Sequence, residues 1–153
     1  MTELTFQGGQ IEVNNAFSGC TAWQTVTFNS YPSDVSSRSN VLPNETSEII
    51  FMPGMVPISN VSSVGNLFAS NRNFSSTGSP LTVTFDNDSS NPGIRINEDA
   101  FNFTGANLIT YTFTAHPNTN MTYDNGNCFP DGKTMVFSST NFTWNAGNKS
   151  WQQ

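Results

Sequence analysis

Leu81-Thr82-Val83-Thr84-Phe85 decides the fold class, because apolar and hydroxyl side chains alternate along it without a break. A β-strand sends successive side chains to opposite faces, so Leu81, Val83 and Phe85 share a buried face while Thr82 and Thr84 share a wetted one. Thr25-Val26-Thr27-Phe28 and Thr110-Tyr111-Thr112-Phe113-Thr114 follow the same rule. Thr, Val, Tyr and Phe also suit a pleated, half-buried surface. Ile94-Arg95-Ile96, Phe101-Asn102-Phe103 and Met135-Val136-Phe137 are shorter strand candidates, and the uniformly apolar Ile49-Ile50-Phe51-Met52 reads as a central strand.

Turn chemistry separates these segments. Gly8-Gly9, Asp86-Asn87-Asp88, Asn91-Pro92-Gly93, Asp124-Asn125-Gly126 and Asn145-Ala146-Gly147-Asn148 favour tight or left-handed backbone. The polar stretches Ser30–Ser47 and Ala115–Lys133 read as surface loops. One short helix is expected, capped by Asn60 and carrying Val61, Val64 and Phe68 on one side, although Gly65 weakens it. Many short strands with Asn/Gly/Pro turns imply an all-β chain, expected as an antiparallel β-sandwich, either a jelly roll or an immunoglobulin-like Greek key. Trp23 follows Cys20 too closely for a true immunoglobulin arrangement. The strands at Thr25, Thr82 and Thr110 are unequally spaced, which argues against a trefoil or solenoid. No domain boundary interrupts residues 1–153.

Composition narrows the function. Only 10% of residues are charged, the net charge is −6, and the five cations, Arg38, Arg72, Arg95, Lys133 and Lys149, are scattered. Neutralising a phosphate backbone takes clustered Lys and Arg, so nucleic acid is disfavoured as a partner, and an anionic membrane surface for the same reason. No apolar stretch is long enough to insert into a bilayer, and the first residues lack the basic start and apolar run of a signal peptide.

Catalytic signatures are sparse. The single histidine, His116, precedes Pro117 in a loop, and no nucleophile elbow, Walker loop or dinucleotide fingerprint occurs. Glu98 and Asp99 are adjacent and would face opposite sides of a strand, while Glu45, Glu48, Asp86 and Asp88 lie among polar residues. Cofactors are therefore expected to be none, with calcium the most plausible ion. Asp86 and Asp88, followed by Ser90, resemble the opening of an oxygen-rich loop, but Asn91 and Asn97 replace the Gly and Glu of an EF-hand. Cys20 and Cys128 lack zinc-type spacing and form a candidate disulfide, which would indicate an oxidising compartment. Eight Asn-x-Ser/Thr sequons follow from a composition rich in those three residues.

The last stretch, from Asn141 to Trp151, reads as a hairpin bearing Phe142, Trp144 and Trp151. Aromatic faces beside Asn and Thr suit sugar stacking, and they suit core packing better still. These features together suggest a non-enzymatic structural or assembly protein of a virion (capsid, decoration, tail or fibre) or an extracellular surface, associating with itself or with other structural proteins. A carbohydrate-binding module or lectin is the first alternative, with glycans as partners. A secreted adhesin or pilin domain is the second.

Overall fold

The computed structural model describes residues 3–6, 24–28, 46–52, 81–88, 93–96, 101–102 and 109–153. Ten strands occur among them: β1 (Glu3–Phe6), β2 (Thr25–Phe28), β3 (Glu48–Phe51), β4 (Leu81–Phe85), β5 (Ile94–Ile96), β6 (Ile109–Phe113), β7 (Met121–Tyr123), β8 (Thr134–Phe137), β9 (Thr140–Asn145) and β10 (Ser150–Gln152). The all-β expectation holds for the described residues, whose only helical element is the 3-10 turn Gly126–Cys128. The predicted helix at Asn60 to Phe68 lies outside them.

Strand direction departs from expectation. The largest sheet runs in the order β1-β2-β3-β4-β6, and each of its four pairings is parallel. β5 and β7 form a second parallel pair, and only the C-terminal sheet, β10-β9-β8, is antiparallel. Period-two alternation fixes which face a side chain takes, but carries no information on which way the neighbouring strand runs. The connections do carry it. Parallel neighbours need a crossover of about a dozen residues or more, and hairpins need only a few. The pairs β4 with β6 and β5 with β7 also show that the chain passes through both sheets, then repeats the path one strand further on. The unequal spacing of the Thr-rich strands does not prevent stacking, because connections differ in length while strand positions keep register.

That register lines up the core. Val26, Ile49, Val83 and Tyr111 are cross-strand partners, and all are buried. Phe51, Phe85 and Phe113 form the next inward file, with ring centroids 5.6 Å apart for Phe51–Phe85 and 4.9 Å for Phe85–Phe113. Phe101 meets Phe85 edge-on and stacks on Phe129 at 5.3 Å. Phe101 is itself in a turn, so the strand expected at Phe101-Asn102-Phe103 does not form at its first residue. Such aromatic pairs contribute about 0.5–1.5 kcal/mol each beyond area burial.

The antiparallel sheet closes this stack at its β6 end. Trp144 and Trp151 are cross-strand partners on β9 and β10, as the expected C-terminal hairpin requires. Trp151 packs on Tyr111 and Phe113 of β6, and Trp144 on Tyr123 and Phe129. The Trp144 indole donates to the carbonyl of Gly126 at 2.9 Å. A Cβ at Gly126 would lie 2.2 Å from the backbone oxygen of Ala146, so this approach needs glycine.

Two asparagine side chains tie the layers together. Asn87, 1% exposed, donates to the carbonyls of His116 and Thr119 and accepts from the Ala115 amide. It thereby holds the segment after β6 against the end of β4. Asn118 then donates to the Trp151 carbonyl and accepts from the Trp151 amide, imitating a strand partner for β10. The expected loop Ala115–Lys133 is thus ordered, and includes β7 and the 3-10 turn.

Candidate binding surface

The outward side of the parallel sheet is built by the same alternation that builds the core. One file runs Glu3, Thr25, Glu48, Thr82, Thr110, and the next runs Thr5, Thr27, Ile50, Thr84, Thr112. Neighbours within a file are about 4.8 Å apart across the strands, and the files are about 6.6 Å apart along them. Thr5, Thr110 and Thr112 are exposed, Thr82 and Thr84 half-buried, and Thr27 buried. Thr25 Oγ1 donates to the Glu48 carboxylate at 3.4 Å, which absorbs part of that charge.

At the β6 edge this face meets the capping sheet. Between β6 and β8 lies an open groove of about 310 Å³, lined by Thr110, Thr112, Thr134, Met135, Val136 and Asn141, with Tyr111 at its base. Val136, at 62% exposed, is the one large hydrophobic residue standing open among the described residues. No Asp, Glu, Lys, Arg or His lines the groove.

The acidic and basic side chains lie elsewhere. Asp86 accepts from Thr114 Oγ1 at 2.9 Å, and Asp88 is exposed. Between them Asn87 turns into the protein, so the two carboxylates do not converge with a third acidic group, and no group of three or more metal-ligating side chains occurs among the described residues. Arg95 pairs with Asp124, whose backbone oxygen accepts from Lys149 Nζ. Lys133 Nζ sits 5.6 Å from the Tyr111 ring centroid, and partial burial lowers its pKa. His116 is exposed, with its ring edge-on to Phe142 and Phe137.

Phe142, Trp144 and Trp151 are all 2% exposed or less. Their rings pack within the cap and the core beneath it. Cys128 is fully buried with its Sγ 3.3 Å from the Ile96 carbonyl, and Cys20 lies outside the described residues. The groove and the asparagine clamps were not anticipated. Asn87 lies in an expected turn, and only its partners, about 30 residues away in sequence, reveal its burial.

No helix among the described residues is long and apolar enough to cross a membrane. No family model matches the chain, and neither a curated protein nor a solved structure matches it.

Proposed function

We propose that the chain is a non-catalytic structural module, a short β-helix-like stack that assembles with itself or with other structural proteins of a virion or extracellular surface. The observation that carries this reading is the inequality of the two ends of the parallel sheet. At β6 the stack is closed by a sheet bearing Trp144 and Trp151, and at the other end β1 is the edge strand among the described residues. An edge strand offers unpaired amides and carbonyls to another chain, and natural edges are usually blunted by Lys, Pro or a bulge. β1, Glu-Leu-Thr-Phe, contains neither Lys nor Pro, and Glu3 is its one charge.

Growth from one end only favours closed, small assemblies over filaments, because a capped end cannot accept the next subunit. Sedimentation velocity across the micromolar range tests this. A concentration-dependent dimer or small oligomer is expected, and Thr5→Lys, at an exposed β1 position, should weaken it at least tenfold by placing a solvated cation at the edge. A monomer at every concentration, or association indifferent to Thr5→Lys, would overturn the reading.

A further inference from the structure

We propose that the groove between β6 and β8 is a binding site for a neutral glycan segment. This inference does not depend on assembly at β1, because the groove lies at the opposite, capped end of the sheet.

Its lining suggests the ligand class. Thr110, Thr112 and Thr134 offer hydroxyls that both donate and accept, and Asn141 offers an amide with two donors and an acceptor. Sugar hydroxyls have the same dual character, so each can be matched without a fixed charge. Because no Asp, Glu, Lys, Arg or His lines the groove, a carboxylated, sulfated or phosphorylated ligand would lose hydration there without gaining a counter-charge. Val136 supplies an exposed apolar contact beside the polar groups. A pyranose needs that combination, since its C–H face is apolar and its rim is hydroxylated. Val136 stands 62% exposed on a strand whose inward neighbour Met135 is buried, so solvent exposure at this point serves no packing role.

Size agrees with class. About 310 Å³ lies at the lower end of the roughly 300–1,000 Å³ typical of small-ligand sites, enough for about one or two sugar rings. Thr110 and Thr112 also belong to the outward files of the parallel sheet, so a longer chain leaving the groove would run onto Thr82 and Thr84. Neither Trp144 nor Trp151 lines the site, which uses aliphatic contact in place of ring stacking.

Isothermal titration calorimetry with cellohexaose, chitohexaose, maltohexaose and a linear mannohexaose tests the assignment on the full chain. Saturable binding of at least one is expected. Val136→Asp and Thr112→Lys, both at exposed positions, should each weaken it tenfold or more while leaving the circular dichroism spectrum unchanged. Asn148→Asp, in the β9–β10 turn away from the groove, should leave affinity within twofold. The proposal is overturned by no binding of any neutral oligosaccharide, by affinity retained in both groove variants, by tighter binding of heparin or polygalacturonate oligomers, or by an extended peptide occupying the groove where no glycan does.

Discussion

The parallel stack and the antiparallel cap use the same side-chain alternation, yet one is assembled from distant segments and the other from adjacent ones. β8, β9 and β10 are joined by short turns, and their register follows from those turns. β1 to β4 and β6 meet only after long excursions, and their register is held by matched inward files and by Asn87. The cap is therefore the locally encoded half of the fold. It also seals the end of a stack that has no short-range device of its own.

The strongest way to break this comparison is to remove an aromatic from the cap. Trp144→Ala deletes a ring packed on Tyr123, Phe129 and Trp151, and leaves the Gly126 carbonyl without its indole donor. A loss of about 3–5 kcal/mol is expected, a large share of the roughly 5–15 kcal/mol that holds a typical domain folded. If cap and stack form one cooperative unit, urea unfolding monitored by circular dichroism stays a single transition at lower midpoint. Two separate transitions in this variant would show that the cap melts alone.

Asn87 tests the link between distant segments. Asn87→Ala removes the side-chain partner of the part-buried His116 and Thr119 carbonyls and of the Ala115 amide, an expected cost of about 1–3 kcal/mol. Amide exchange should accelerate first across the segment after β6 and in β10, which depends on Asn118 of that segment. Uniform acceleration across all strands would mean that Asn87 stabilises the fold generally, without tying one layer to the next.

Strand existence was legible because alternation survives in short segments such as Leu81–Phe85 and Thr140–Asn145. The tryptophan hairpin was legible because its turn and both strands lie together in sequence. Parallel direction was not legible from Thr82-Val83-Thr84, since a strand reads the same whichever way its neighbour runs. The groove was hidden for a related reason. Thr110 and Thr134 belong to different sheets, and nothing local brings them together.

Two tyrosines at the junction of stack and cap sharpen the comparison through pH. Burial raises the pKa of both Tyr111 and Tyr123 above the ordinary value of 10.0. A folded-state pKa above the unfolded one gives stability that is whole below pH 10 and drains away as pH rises beyond it. The denaturation midpoint should therefore be flat through neutral pH and fall above pH 10. The two residues then part ways. Tyr123 donates to the Pro117 carbonyl, so Tyr123→Phe should cost about 0.5–1.5 kcal/mol at neutral pH. The Tyr111 hydroxyl is buried without a hydrogen-bond partner, so Tyr111→Phe should leave neutral stability intact or raise it while reducing the alkaline loss. A Tyr111→Phe protein less stable than Tyr123→Phe at pH 7 would reverse this assignment.

The smallest effect belongs to the turn that makes the cap local. Ser138 and Ser139 join β8 to β9 with φ of 47° and 64°, so both occupy the left-handed region of a two-residue hairpin turn. That conformation matches the twist of the flanking strands but favours Asn or Gly over Ser. Replacing the pair by Asn-Gly should raise stability by about 0.5–1 kcal/mol, by relieving left-handed backbone strain at both positions. Urea denaturation at pH 7 reads the change. If the cap folds first because its contacts are local, the gain should appear mainly in the refolding rate. A gain confined to slower unfolding would place hairpin closure after the stack has formed, and the order suggested by loop length would be reversed.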